Sequence, residues 1–257
     1  MGVGRGNGKL ILFGEHAAVY GYPALGVRLD DYLEVEISGD ADAATWTLPP
    51  VGAREEAMVR SALATLPDRP RGGRIAVRGT LPMSVGFGSS AAFCTALLRA
   101  TRRGASLEPD ALWMEAHRLE HHFHGTPSGI DTGLSIHPGA SLIRPRPPEL
   151  PERMPTELPA DSLLVGAVAR TSTTAELVAG IRRQREVDPS AVEAQLTRLG
   201  ELATIAADRA QTPDARAFGA RADEAHELLA ALGLSSDTLE LAVGALRAGG
   251  AHGAKLS

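Results

Sequence analysis

The sequence predicts an α+β fold in two halves, and three observations lead to this prediction. In the first half, short stretches such as 32–37 alternate apolar and polar residues as half-buried strands do, and amphipathic helices lie between them. The second half is mostly helical. Between the halves, residues 138–159 contain seven prolines. Because proline disrupts helices and central strands, this segment is predicted to be an extended surface connector.

The predicted elements follow from apolar periodicity and turn residues. In the first half, strands are predicted at 9–13, 32–37, 45–48 and 74–77, and helices at 54–66, 89–103 and 110–123. In the second half, the pattern predicts a strand at 163–169 and helices from about 175, at 190–210, at 214–232 and at 236–248. The predicted domains are 1–150 and 160–257, with 138–159 as the connector between them.

Composition excludes several classes of protein. The chain has 257 residues and a formal net charge of −5, and it has no basic run with interleaved aromatics, which argues against a nucleic-acid partner. Its one cysteine, Cys94, excludes an intramolecular disulfide and a cysteine-built zinc site, and its apolar position predicts a buried, inert thiol. The short apolar stretch 10–13 is no signal or membrane segment. A cytoplasmic protein without a membrane partner is expected.

The most informative stretch is a glycine-rich loop that leads into a helix, at 81–92. Gly86 and Gly88 let backbone N–H groups approach an anion, and Ser89 and Ser90 fit the N-cap and first turn of the helix. The loop lacks the lysine of a Walker A motif and the third glycine of a dinucleotide fingerprint. It therefore predicts a phosphate cradle, with ordinary helix capping as the alternative.

Two carboxylates and a lysine accompany this loop. Glu120 lies at the edge of the apolar face of helix 110–123, and Asp131 ends the rigid turn that begins at His124. Among the 26 basic residues only Lys9 and Lys255 are lysines. This scarcity indicates that position 9 requires the compact charge of an ammonium group. Together these groups are what phosphoryl transfer requires, although Asp131 could be only a helix cap and Lys9 only a surface lysine.

Three segments, at 8–21, 82–92 and 124–131, resemble in order and wording the motifs of the GHMP kinases, and among these the mevalonate kinases. The resemblance implies a half like the second domain of ribosomal protein S5, followed by a ferredoxin-like half, with the active site in the cleft between them. It also implies an enzyme that uses ATP and Mg²⁺, and it allows a homodimer.

The resemblance further implies roles for individual residues. Asp131 would be the catalytic base with Lys9 beside it, and Ser90 and Glu120 would hold Mg²⁺. Glu15, His16 and Thr174 would lie near the substrate. The residues implied in ATP binding all belong to the glycine-rich segment: Pro82, Gly86, Phe87, Gly88, Ser89, Ser90 and Ala91.

Within the superfamily, the implied substrate is mevalonate, phosphorylated at its 5-hydroxyl in isoprenoid precursor synthesis. A galactokinase would continue after Glu15-His16 with Thr-Asp-Tyr, whereas Ala17-Ala18-Val19 follows here. A homoserine kinase would lack the segments around Glu15 and Asp131. Asn7 and Thr132 depart from the usual mevalonate kinase residues, so a galactokinase-like or homoserine kinase-like enzyme and a catalytically silent nucleotide-binding protein remain alternatives.

A pair of histidines and the last four residues lead to two further expectations. His117 and His121 have the i, i+4 spacing of a zinc pair, so a metal site around Glu120 is an alternative to solvated imidazoles. Residues 254–257 resemble the opening of the third family motif, whose glycine-rich remainder does not follow. We therefore expect a C-terminally truncated, incomplete second half with low stability, reduced ATP affinity and weak or no activity.

Overall fold

The structure, a computed structural model, describes residues 2–40, 45–66, 72–83, 85–102, 107–124, 127–159, 163–168 and 174–257. These residues form two compact units. Unit 1 comprises the chain up to Leu10 together with Arg28–Pro138, and unit 2 comprises Ile11–Val27 together with Gly139–Ser257. The domain boundaries at 1–150 and 160–257 stay a prediction.

The described residues of unit 1 form four paired strands and four helices. Strand β2 pairs antiparallel with β4 from Leu33 opposite Gly79 to Asp40 opposite Gly72, and β3 adds parallel to β4. Strand β1 pairs with β2. The strands are β1 (Gly2–Phe13), β2 (Ala24–Asp40), β3 (Trp46–Thr47) and β4 (Gly72–Gly79), of which β1 and β2 continue into unit 2. The helices are α1 (Ala53–Thr65), α2 (Ser89–Thr101), α3 (Pro109–Glu120) and α4 (Ile130–Ile136).

Helix α2 is the central element of unit 1. It packs against α3 and α4, and its residues 91–98 are all buried. Cys94 is completely buried there, and burial raises the pKa of its thiol well above the usual value. The predicted burial of this thiol is therefore confirmed, and a raised pKa disfavours the reactive thiolate.

Strand β1 lies on α2 in backbone contact. A Cβ atom added at Gly2, Gly4 or Gly6 would lie 1.9, 2.2 or 1.9 Å from the carbonyl oxygens of Ala100, Ala96 and Ala92, respectively. Two residues of strand advance about 6.7 Å and four residues of helix about 6 Å, so alternate strand positions meet successive helical turns. Only glycine fits at these strand positions, because any side chain would occupy the space of a helix carbonyl.

The described residues of unit 2 combine a β-hairpin with four helices. Residues 24–27 of β2 pair with β5, and β5 pairs antiparallel with β6. The elements are a 3₁₀ turn (Ala17–Tyr20), β5 (Ala140–Arg146), β6 (Glu149–Thr156), α5 (Thr174–Val187), α6 (Pro189–Ala207), α7 (Ala215–Ala231) and α8 (Asp237–Ala248). The predicted apolar stripe of α6 at Val192, Leu196 and Leu199 is buried, which confirms that prediction.

The interpretation of 138–159 as a connector without strands is wrong, because β5 and β6 form a hairpin there. The prolines occupy positions that a hairpin tolerates. Strand β6, which contains Pro151 and Pro155, ends the order β2-β5-β6 and is an edge strand. Pro145 lies at a register shift between Arg144 and Arg146, and Pro147 and Pro148 form the turn.

The predicted strand at 163–169 is also not observed over its described part. Residues 163–168 belong to no strand, and Leu164 is 82% exposed. An apolar run becomes a strand only where a sheet edge pairs with it, and none does so in the described part of unit 2. Across the described residues, no helix is both long and apolar enough to cross a membrane.

The contact between β1 and α2 generates a stability prediction. Gly4→Ala should lower the free energy of unfolding by at least about 2 kcal/mol, because the added methyl group overlaps the backbone of α2. Chemical denaturation followed by circular dichroism measures the change. Gly244→Ala is the matched control, because a Cβ at Gly244 in α8 has nothing within 4 Å. Equal stability of Gly4→Ala and the wild-type protein would contradict this packing.

Candidate active site

The glycine-rich loop of unit 1 is held against β1. Gly86 and Gly88 have φ angles of +94° and +72°, a backbone conformation that favours glycine. The carbonyl oxygen of Phe87 accepts a hydrogen bond of 2.9 Å from the Lys9 N–H. A Cβ at Gly88 would lie 2.6 Å from Cγ of Lys9, so the loop lies directly on the lysine side chain.

The N-terminus of α2 differs from the sequence-based expectation. The N-cap residue is Gly88 and not a serine, and no side chain of the described residues caps the helix. Ser89 and Ser90 are instead half-buried in its first turn, followed by the buried Ala91. Because no side chain accepts from the first-turn N–H groups, they and the positive end of the helix dipole remain suited to an anion.

Lys9 and Asp131 form an ion pair at the end of β1. Lys9 Nζ lies 3.1 Å from Asp131 Oδ2, and the side chains are 9% and 30% exposed, respectively. Asp131 is in the first turn of α4, after the N-cap Gly129. The pair thus joins a nearly buried cation to a carboxylate that is partly accessible to solvent.

Two contacts fix α4 at this position. Trp113 of α3 donates its indole N–H to the Gly129 carbonyl at 2.8 Å, and Gly133 lies so close that a Cβ would be 2.5 Å from the Trp113 ring. The Ser135 hydroxyl donates to the Asn7 carbonyl of β1 at 2.7 Å. The carboxylate of Asp131 is therefore positioned by α3 and β1 together.

Glu120 is more deeply buried than the sequence predicted, because the helical pattern placed it only at the edge of an apolar face. It is 2% exposed at the end of α3, and its Oε2 has no hydrogen-bond partner among the described residues. Burial, and next the charge of Asp131, raise the pKa of Glu120 to about 8, while Lys9 acts in the opposite direction. A buried carboxyl oxygen without a partner is suited to binding a cation.

Ser90 is connected to the end of α3 through His124. The Ser90 hydroxyl lies 3.1 Å from His124 Nε2, and the backbone N–H of His124 donates to the Glu120 carbonyl at 2.9 Å. Unit 1 therefore brings together five of the predicted groups: the loop, Ser90, Glu120, Lys9 and Asp131.

The zinc alternative gains no support from the structure. The rings of His117 and His121 have centroids 5.2 Å apart, and partial burial and the neighbouring His121 lower the pKa of His117. However, no group of three or more His, Cys, Asp or Glu residues in the described ranges could hold a metal ion. A structural or catalytic zinc needs at least three protein ligands.

The predicted substrate residues belong to unit 2. Glu15 is 5% exposed. His16 has a φ of +60°, and it is the one non-glycine residue of the described chain with a positive φ. Thr174 begins α5. Strained backbone conformations such as that of His16 often mark functional segments.

Lys255 is a charged partner that the sequence analysis did not assign to the site. Its ammonium group pairs with the Glu15 carboxylate in unit 2, and both side chains are nearly buried. The scarcity of lysine in the sequence, which drew attention to Lys9, applied equally to Lys255 and could have identified it.

Comparisons with known proteins agree with these features. Residues 56–139 match the family described as GHMP kinases N terminal domain. The mevalonate kinase of Thermococcus gammatolerans is 30% identical over an alignment of 289 residues, and this alignment covers 97% of this chain and 83% of that protein. The mevalonate kinase of Pyrococcus abyssi is 30% identical over 283 residues, with the same two coverages.

A solved structure shares the fold. The crystal structure of L. major mevalonate kinase in complex with R-mevalonate superimposes with a TM-score of 0.79 at 24% identity, covering 100% of this chain and 83% of that one. The predicted α+β GHMP kinase fold is thereby confirmed. The extent of these matches shows that the chain belongs to the GHMP kinase superfamily and, within it, to the mevalonate kinase family.

Proposed function

We propose that this protein transfers the γ-phosphoryl group of ATP to the 5-hydroxyl of mevalonate. The observation that carries the proposal is the ion pair between Lys9 and Asp131, 3.1 Å long, beside a glycine-rich loop and a helix N-terminus without a side-chain cap. A base, a cation and a phosphate cradle in one place are the requirements of phosphoryl transfer to an alcohol.

Asp131 is suited to accept the proton of the acceptor hydroxyl. The adjacent Lys9 ammonium stabilises negative charge that develops on the acceptor oxygen. This oxygen forms a bond to the γ-phosphorus as the bond to the bridging oxygen breaks, so ADP leaves with the bridging oxygen and the proton remains on Asp131. The chain's contribution is thus to hold and move one proton and to balance charge.

The phosphates fit the glycine-rich loop. First-turn N–H groups of α2, together with backbone of residues 86–88, supply donors and the positive end of a helix dipole. Because Lys9 packs on Gly88, the phosphate cradle and the Lys9–Asp131 pair have a fixed spacing. Such positioning is the main source of rate enhancement in this kind of reaction.

The residues present also fit a magnesium ion. Mg²⁺ takes one or two carboxylates together with phosphate oxygens, so it does not require a cluster of three acidic side chains. The unpartnered Oε2 of Glu120 and the Ser90 hydroxyl would hold it. When bound, the ion neutralises charge on the transferring phosphates.

The substrate assignment rests on relatives as well as on residues. The relatives at 30% identity are mevalonate kinases, and the L. major enzyme was crystallised with R-mevalonate. Glu15, His16 and Thr174 of unit 2 are the residues proposed to contact the acceptor. The homodimer and the cytoplasmic location stay predictions of the sequence.

A coupled assay for ADP release tests this function. The purified protein should release ADP with mevalonate and Mg²⁺, and much more slowly with galactose or homoserine. ADP release with another alcohol alone would move the substrate to that class. ATP binding without ADP release with any alcohol would identify a catalytically silent nucleotide-binding protein.

The role of Asp131 leads to the next prediction. Asp131→Asn should lower kcat by about 10²-fold or more, because the amide cannot accept the hydroxyl proton, while the affinity for ATP stays near the wild-type value. Steady-state kinetics and nucleotide titration measure the two effects. Asp110→Asn is the matched control, because Asp110 also lies in a first helical turn of unit 1 and its side chain is 83% exposed. Near-normal turnover of Asp131→Asn would remove Asp131 from the mechanism.

The magnesium site has its own test. Glu120→Gln should raise the Mg²⁺ concentration for half-maximal activity by about tenfold or more, because a hard cation loses a charged oxygen ligand. His117→Ala, which alters the same helix, should leave this concentration unchanged. The opposite pattern, together with zinc found by elemental analysis, would favour the zinc site instead.

The raised pKa of Glu120 predicts how stability depends on pH without metal. The ordinary pKa of this carboxyl group is 4.5, and its pKa in the folded protein is about 8. Between these two pH values the carboxyl group is ionised in the unfolded chain and protonated in the folded protein. The free energy of unfolding should therefore fall as pH rises through this range, by roughly 1.4 kcal/mol per pH unit from this group. In Glu120→Gln this contribution should disappear. Parallel pH profiles of the two proteins, measured by denaturation in EDTA, would show that Glu120 ionises normally.

A further inference from the structure

The two lysines of this chain share one feature. Each pairs with a carboxylate that the sequence assigns to the active site, Lys9 with Asp131 and Lys255 with Glu15. Throughout the described residues, every other ion pair uses arginine or histidine as its cation: Arg5, Arg60, Arg78, Arg102, His137, Arg146, Arg185, Arg198, His226 and Arg247. Lysine is thus confined to the neighbours of Asp131 and Glu15.

Burial also separates the lysine pairs from the arginine pairs. The Lys255 and Glu15 side chains are 10% and 6% exposed. The arginine side chains in ion pairs are all at least 31% exposed, the lowest being Arg102. Exposed pairs of this kind contribute little to stability.

The surroundings of Lys255 favour a compact ammonium group. Besides Glu15, the ammonium donates to the Leu256 carbonyl, and Nζ lies 6.0 Å from the centroid of the Phe13 ring. An ammonium is a compact point charge, whereas a guanidinium is a wider planar fork that matches a carboxylate side-on. The ammonium group therefore lies between a carboxylate and a carbonyl, beside an aromatic ring.

The backbone around Lys255 is fixed on both sides. The Ala254 N–H donates to Asp223 at 3.0 Å, and the Leu256 N–H donates to His226 Nδ1 at 3.3 Å. The Ser257 hydroxyl donates to the Ile11 carbonyl at 2.7 Å. Lys255 is therefore presented to Glu15 from a rigid frame.

A purely structural role explains this pair poorly. Removing two charges from water is costly, and apolar side chains of similar volume usually stabilise a buried site equally well or better. A buried pair at a residue implied in substrate contact has a simpler explanation in function, because the carboxylate must stay in one orientation to bind a ligand.

We propose that Lys255 is a positioning residue that holds the Glu15 carboxylate in one orientation, so that Glu15 accepts a hydrogen bond from a hydroxyl group of the acceptor alcohol. This inference rests on the proposed function. Lys255 acts through Glu15, so its contribution belongs to acceptor binding and not to ATP binding.

A double-mutant cycle tests the proposal in the full chain. The four proteins are the wild type, Lys255→Met, Glu15→Gln and the double variant, and each is assayed for KM with mevalonate, KM with ATP, kcat and thermal unfolding. Lys255→Met should raise KM for mevalonate by about tenfold or more and leave KM for ATP within about threefold. In the Glu15→Gln background the same change should alter KM for mevalonate by less than about threefold, because its target is already lost.

A charge-preserving variant provides a second measurement. Lys255→Arg should also raise KM for mevalonate, because the larger guanidinium cannot take the place of the ammonium. Arg60→Lys, in the exposed pair with Glu56, is the matched control and should leave all kinetic constants unchanged.

The outcomes separate the two proposals. A wild-type protein that releases no ADP with mevalonate overturns the proposed function and this inference with it. In an active protein, three results overturn the role of Lys255 alone. These are an unchanged KM for mevalonate in Lys255→Met, an equal effect in both backgrounds of the cycle, and a double variant that regains stability together with the wild-type KM. The last result would identify the pair as purely structural.

Discussion

Backbone contact between β1 and α2 is the constraint on which the arrangement of unit 1 depends. The glycines at 2, 4 and 6 let the strand touch the carbonyls of Ala100, Ala96 and Ala92. Because the strand begins at the far end of α2 and runs toward its N-terminus, it delivers Lys9 beside Gly88 at the helix start. A side chain at any of these glycines would push the strand outward and separate the lysine from the phosphate loop.

Charge interactions between buried groups also determine the properties of the candidate site residues. In unit 1 a nearly buried ammonium faces Asp131, and a fully buried Glu120 keeps its proton because burial and the charge of Asp131 oppose ionisation. In unit 2 the second lysine pairs with Glu15. Carboxyl groups held close together in a region of low solvent exposure are costly without nearby cations.

The departures from the sequence analysis have identifiable physical causes. Proline density over 138–159 indicated a connector, yet the hairpin β5–β6 places Pro151 and Pro155 on an edge strand where a missing N–H donor does little harm. The apolar run at 163–169 indicated a strand, but strand formation depends on a partner edge that local sequence does not specify. Similarly, Gly88 and not a serine caps α2, because the left-handed backbone required at the loop end favours glycine.

The sequence by itself indicated the helices other than α4, the glycine-rich loop, the buried Cys94 and the candidate residues, because these follow from periodicity, local turn chemistry and motif wording. Tertiary structure decided which of them meet. The 3.1 Å pair of Lys9 with Asp131 joins residues far apart in the chain, and the protonation of Glu120 follows from burial that a helical pattern indicated only as an edge position. Lys255 stands 240 residues from Glu15, and no local pattern connects them. Distances and burial arise from packing between elements, which local sequence does not encode.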